Sequence, residues 1–192
     1  GIPSSSSHAL IGGLLGAGIA HAEPGVVESD GTVKTLAAIF LSPMIGFVFA
    51  MALMVVTSWI FKGTAPRRAD GMFKGLHLLS SAAYSISHGG NDAQKTMGII
   101  TVLLYSTGHL GGEFHVPEWV VLSCYAAIAL GTMSGGWKII KTMGTGLTKL
   151  NHHSGFCAST AGSVVVFGAS AMGIPVSTTH AITGSVVGTG AS

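Results

Sequence analysis

Charge is scarce in this sequence. Of 192 residues, 9 are Lys or Arg and 7 are Asp or Glu, 8% in all, where a soluble domain carries about 25%. That excludes an ordinary water-facing surface. A net charge of +2 without a basic run also excludes a partner with a phosphate backbone, so nucleic acid is set aside. Cysteine is nearly absent: Cys124 and Cys157 sit in uncharged apolar stretches, which implies neither a disulfide framework nor a cysteine metal site. Both read as small buried hydrophobes. An initiator methionine and a signal-peptide pattern are missing too, and the chain is expected to be an internal fragment. What is abundant is glycine, 29 residues of it, with much Ser and Thr and a mean hydropathy of +0.61. An apolar chain of small side chains is what closely packed membrane helices use.

The few charges fall in short clusters between long neutral runs. Residues 35–61 form 27 positions without a charge, more than the ~20 that cross a bilayer. Residues 119–137 are 19 neutral positions bounded by Trp119 and Trp137, where an aromatic belt would place its rings. Two transmembrane helices are predicted there. Between them, residues 76–108 are apolar but interrupted by "SHGGNDAQK". A helix broken within the membrane at Gly89–Gly90 is expected, because glycine permits unwound backbone and a wet or protein-lined cavity can satisfy it.

Loop charges predict an orientation under the rule that Lys and Arg gather on the cytoplasmic side. Lys62, Arg67, Arg68 and Lys74, against Asp70, belong inside, as do Lys138, Lys141 and Lys149. Glu23, Glu28, Asp30, Glu113 and Glu118, against Lys34, belong outside.

The chain also repeats itself. "GIPSSSSHALIGGLLGAGIA" at 1–20 and "GIPVSTTHAITGSVVGTGAS" at 173–192 match at nine of twenty positions with an offset of 172. Under the orientation above the first copy exits outward and the second is entered from inside, so the copies are expected to be inverted. If each is a re-entrant hairpin turning within the membrane, the two build halves of one central site, as inverted-topology transporters do. Ser5, Ser6 and Ser7, and Ser177, Thr178 and Thr179, fall where a helix would be capped. Free N–H groups, a positive dipole end and hydroxyl donors at one place suit a tetrahedral oxyanion; the plainer alternative is that they only cap a half-helix or let helices pack. Gly12 with Gly16, and Gly184 with Gly188, read as small-xxx-small packing pairs.

Asp92 is an ionisable residue within an apolar stretch, which marks a functional site by default. Lys95 lies three residues on, a spacing that places both on one helix face, and a structural ion pair is the alternative. His88 precedes Asp92 by four residues and reads either as its partner or as an interior histidine. Adjacent His152 and His153 lack further ligands in the sequence, and no metal site is assigned to them.

"GGNDAQKTMG", taken with "PSSSSHALIG" and "PVSTTHAITG", resembles the inorganic phosphate transporter (PiT) family of secondary transporters. The resemblance implies an all-α integral membrane protein with inverted repeats, broken helices and re-entrant Ser/Thr hairpins. Segment 1–20 would end the first repeat, 21–75 would hold an outer loop, a transmembrane helix and a basic inner loop, and 76–192 most of the second repeat. It further implies phosphate-binding roles for Ser5, Ser6, Ser7, Asn91, Ser177, Thr178 and Thr179, and cation-binding or coupling roles for Asp92, Asn91, His88, Lys95 and Gln94. "AQK" stands where sodium-coupled members read closer to "VAN", and the first half's acidic motif is not in the chain.

A phosphate about 4 Å from an ionised Asp92 would be repelled by roughly 4 kcal/mol at an effective dielectric near 20. Entry against a negative-inside potential costs about 2.3 kcal/mol per charge per 100 mV. A co-transported H⁺ or Na⁺ removes the first penalty and offsets the second. Cation-coupled phosphate symport by alternating access is therefore expected, without catalysis and without a cofactor beyond the co-transported ion. The expected partners are inorganic phosphate, the coupling cation and the lipid bilayer, with homo-oligomerisation open, in a multi-pass protein of the plasma membrane. Two alternatives are a carrier or channel for another oxyanion such as sulfate, and an intramembrane hydrolase built from Ser177, His180 and Asp92; the latter lacks a Gly-x-Ser-x-Gly elbow.

Overall fold

The computed structural model describes residues 5–22, 25, 27–137, 141 and 148–191. They form six helices: α1 (Ser6–His21), α2 (Ser29–Ile60), α3 (Pro66–Ser106), α4 (Glu118–Gly135), α5 (His152–Ala171) and α6 (Thr178–Gly190). No strand occurs among the described residues. Of the residues assigned to loops above, Glu23 and Lys138 lie outside the described residues, as do positions 1–4 of the first repeat copy.

The distribution of side chains is inverted relative to a water-soluble bundle. Large apolar residues such as Phe40, Met44, Leu79 and Leu122 are exposed, and Trp59 is 78% exposed, while Ser7, Ser42, Asn91, Thr101, Ser177, Thr178 and Ser185 are buried. Helices α2 and α5 are long and apolar enough to cross a membrane. In α2 the buried positions are Ala38, Ser42, Gly46 and Ala50, a stripe of small residues at four-residue spacing that faces α5 and α6. Pro43 lies within this helix. Its missing N–H removes one backbone bond, which membrane helices tolerate where neighbours re-satisfy the freed group.

Helix α6 packs on that stripe almost backbone to backbone. A Cβ at Gly184 would strike the Pro43 carbonyl and one at Gly188 the Phe47 carbonyl, while Gly46 in turn faces Ala181 O, 2.7 Å from where its own Cβ would lie. The predicted Gly184–Gly188 packing pair is thus present. Gly12 and Gly16 of the first copy instead meet no atom within 4 Å.

The predicted break at Gly89–Gly90 does not occur. Helix α3 runs unbroken from Pro66 to Ser106, and among the described residues the glycines with positive φ are Gly108, Gly111, Gly112 and Gly173, at the ends of α3 and α5. Two glycines weaken a helix by about 1 kcal/mol each. A break in an apolar layer would orphan several N–H and C=O groups at several kcal/mol apiece. Continuity wins, and helical phase is kept through the whole motif.

Contacts along the helices give their directions. From α3 to α5, His77 meets Gly155, Tyr84 meets Gly162 and Asn91 meets Ser170, so these two run parallel. Thr57 Oγ1 lies 2.6 Å from His153 Nε2 at one end of α2, and Ala38 packs with Ala169 near the other, so α2 and α5 are antiparallel. Helix α4 packs on the far side of α3 through Ala93, Met97, Val120 and Cys124. Both cysteines are free and buried, as expected.

Candidate functional site

Each repeat copy builds the same helix start. Ser5 caps α1 with φ −96° and ψ 108°, and Ser177 caps α6 with φ −84° and ψ 110°. In both, the serine Oγ accepts from the N–H of the histidine three residues on, at 3.2 Å, which satisfies one of the donors a helix start leaves free. The two starts lie side by side, with the rings of His8 and His180 edge to face at 4.7 Å. From there the helices diverge. Helix α1 folds back along the first part of α2, with which it lines a shallow apolar cavity, whereas Gly184 on Pro43 and Gly188 on Phe47 make α6 parallel to α2. The two copies therefore leave a common point in opposite directions.

Helix α3 brings three charged or titratable side chains to that point. Asp92 Oδ1 lies 3.2 Å from Lys95 Nζ and its Oδ2 lies 3.1 Å from His88 Nε2, the spacings that an unbroken helix provides. Thr178 Oγ1 donates to the carboxylate at 3.3 and 3.4 Å. Lys95 Nζ donates further to Ser7 Oγ and to the Val176 carbonyl, both at 2.7 Å. One ammonium thus joins the first copy, the second copy and the α3 carboxylate. Tyr84 Oη donates to the Thr178 carbonyl at 3.0 Å, and its ring packs edge to face on His88 at 5.6 Å.

The structure gathers Ser5, Ser7, Ser177, Thr178, His88, Asp92 and Lys95 into this cluster. Ser6 is exposed and lines an adjoining cavity of about 540 Å³ with His88, Asp92 and Thr96. Thr179 is half-buried one step beyond Thr178, its carbonyl accepting from Thr183 Oγ1 at 2.7 Å. Asn91 and Gln94 line a different cavity, of about 820 Å³, between α3, α4 and α5. There the Asn91 side-chain amide donates to Ser170 Oγ at 2.7 Å, and its Oδ1 is buried without a partner. Tyr84 was not singled out in the sequence, although Tyr84, His88 and Asp92 form an i, i+4 ladder that announces it once α3 is continuous. The Val176 carbonyl carries no side-chain signal at all.

Ser177, His180 and Asp92 do not form a relay. Ser177 Oγ accepts from the backbone of His180 and not from its ring, and Asp92 pairs with His88, Lys95 and Thr178. A serine nucleophile activated by histidine has no counterpart in that geometry. What the cluster offers is two helix N-termini, several hydroxyls and one ammonium for an anion, beside a carboxylate that selects for a cation.

The sequence model of the Phosphate transporter family matches residues 1–192. The chain is similar to a probable low-affinity inorganic phosphate transporter of Rhizobium meliloti (strain 1021), 57% identical over the whole of this chain and 58% of the relative. A protein of the same description from Bacillus subtilis (strain 168) is 42% identical with the same coverage. Among solved structures, the sodium-dependent phosphate transporter has the same fold, with a TM-score of 0.85 over 97% of this chain and 64% of that one, at 21% identity. The chain spans 58% of the length of the two bacterial relatives.

Proposed function

This chain belongs to the Phosphate transporter family, and from that membership and the geometry at Asp92 we propose that the full-length protein carries inorganic phosphate across a membrane together with H⁺ or Na⁺. The observation that supports this most is the meeting of both hydroxyl-rich helix starts at one carboxylate–ammonium pair. Each helix N-terminus carries roughly half a positive charge. Two of them, with Ser5, Ser6, Ser7, Ser177, Thr178 and Thr179 as donors, provide for an oxyanion. Asp92, in contact with His88 and Lys95, provides for the cation, whereas Asn91 and Gln94 line the separate cavity between α3, α4 and α5.

The opposite courses of α1 and α6 favour inverted halves, which place substrate at their interface and alternate access by moving one half against the other. Helices α5 and α6 form a hairpin whose far end returns to its entry, since Gly190 packs on Thr148 just before α5. That favours a re-entrant segment. The family and its named relatives are transporters rather than enzymes. Large apolar side chains facing outward fit a protein surrounded by lipid, here assigned to the plasma membrane.

The test is phosphate uptake by the full-length protein in liposomes, with inward H⁺ and Na⁺ gradients imposed separately and sulfate as competitor. Accumulation under one gradient, undiminished by excess sulfate, is expected. Uptake that neither gradient drives would remove symport, and equal competition by sulfate would make this a general oxyanion carrier.

A further inference from the structure

Tyr84 lies outside every motif of the sequence, yet it ties three helices together. From α3 its Oη donates to the Thr178 carbonyl of α6 at 3.0 Å, and its ring packs edge to face on His88 at 5.6 Å. The same ring lies on Gly162 of α5, where an added Cβ would stand 3.1 Å from Cε2 and 3.3 Å from Cδ2. Held between α5 and its own helix, the ring leaves the hydroxyl little freedom to abandon Thr178.

The identity of the acceptor gives this bond its meaning. Thr178 is the first residue of α6, and its carbonyl shares one planar trans peptide with the N–H of Thr179. In a helix that carbonyl points toward the C-terminus and that N–H toward the N-terminus. The Tyr84 hydroxyl therefore holds one edge of a peptide plane whose other edge faces the point where α1 and α6 start together. Of the donors at the start of α6, the His180 N–H is taken by Ser177 Oγ at 3.2 Å and the Ala181 N–H by Ser177 O at 3.0 Å. The N–H groups of Thr178 and Thr179 are those that such a helix start offers to an anion. A hydrogen bond accepted by a carbonyl also polarises its peptide, which strengthens the N–H of the same unit as a donor.

We infer that Tyr84 is a positioning residue of the anion site: through the Thr178 carbonyl it aligns and polarises the Thr179 N–H, and so sets the affinity for phosphate without touching it. The inference rests on the phosphate reading above and concerns only how tightly the anion is held. Packing of α3 on α5 is the plainer role for Tyr84, and for that the ring suffices without its hydroxyl.

The experiment compares full-length wild type with Tyr84→Phe, which keeps the ring against Gly162 and His88 and removes only the hydroxyl. Phosphate uptake in liposomes gives the half-saturating concentration and the maximal rate, and calorimetric titration of the purified protein with inorganic phosphate gives Kd. Tyr84→Phe is expected to raise half-saturation and Kd together by about 3- to 10-fold, the net worth of one hydrogen bond, with the maximal rate within about twofold of wild type. A packing role would lower the thermal unfolding midpoint and leave half-saturation where it was; that result, or a fall in maximal rate alone, overturns the inference. Gly162→Ala tests the same route from α5, since its methyl crowds the Tyr84 ring and the flexible end of Ile182. Its effect on half-saturation should be several-fold beside Tyr84 and small beside Tyr84→Phe, as for residues that act through one bond. Equal effects in both backgrounds overturn the inference, and so does unchanged half-saturation in Gly162→Ala should Tyr84→Phe fail to fold. Wild-type protein that neither binds nor accumulates phosphate would defeat the transport reading instead.

Discussion

Asp92 is held from three sides, by His88 and Lys95 on its own helix and by Thr178 at the start of α6. A half-buried carboxylate so engaged is expensive to strip of its partners, so any substrate anion entering beside it must be accompanied by a cation or by a proton on the carboxylate. Asp92→Asn keeps the size and part of the hydrogen bonding while removing the charge. Gradient-driven accumulation of phosphate should then be lost, although binding or exchange persists. Uptake assays on folded Asp92→Asn protein check this, and accumulation with unaltered pH and Na⁺ dependence would make Asp92 a structural residue. At this scale much of the site was legible. The spacing of 92 and 95 places two side chains on one helix face, and the triplets after Pro3 and Pro175 announce two caps, whereas the break expected at Gly89–Gly90 hid the phase of His88. The link from Lys95 to Ser7 was not legible, because it spans 88 residues and depends on how α1 lies against α3. Asn91 and Gln94, adjacent in sequence to Asp92 and Lys95, turn to another cavity for the same reason that those two agree: one residue along a helix is about 100° around it.

Helices reveal where sequence rules conflict. Gly89–Gly90 carries the composition of a break, yet the price of orphaned backbone groups in an apolar layer exceeds that of two poor helix formers, and α3 stays whole. The paired glycines of α6 have the opposite outcome, since their small size is what lets α6 approach the α2 main chain at Pro43 and Phe47. Composition alone treats these glycines alike; the neighbour decides. A pair of substitutions separates them. Gly89 has no atom within 4 Å of an added Cβ, so Gly89→Ala should gain about 1 kcal/mol of helix propensity. Gly184→Ala gains the same propensity but drives a methyl into the Pro43 backbone, where overpacking costs about 1–3 kcal/mol and no side-chain rotation relieves it. Thermal unfolding in detergent should rise for the first and fall for the second. Equal shifts would mean that α2 and α6 do not approach as closely as the glycines allow.

Among the described residues, many large apolar side chains face outward and many hydroxyls are buried, the arrangement expected when lipid is the solvent. Direction then becomes testable. Helix α2 begins at Ser29, capped by Glu28, and ends at Ile60, and α3 returns after the short link 61–65, with Phe61 packed on Phe73 at 5.2 Å. Arg68 therefore lies at the end of the helix pair opposite Glu28. Glu113 sits in the link between α3 and α4, again at the Glu28 end, and Lys149 precedes α5, whose start packs beside the end of α2. Helix directions and the clustering of Lys and Arg thus give the same two sides, one from geometry and one from the bias that keeps basic loops in the cytoplasm. Single cysteines at Glu28 and Glu113 in otherwise cysteine-free full-length protein should react with an impermeant reagent applied outside intact cells. Cysteines at Arg68 and Lys149 should react only after the membrane is opened. Labelling of all four from one side would contradict both lines of argument at once, and α1 and α6 could then no longer leave a shared site toward opposite faces of the membrane.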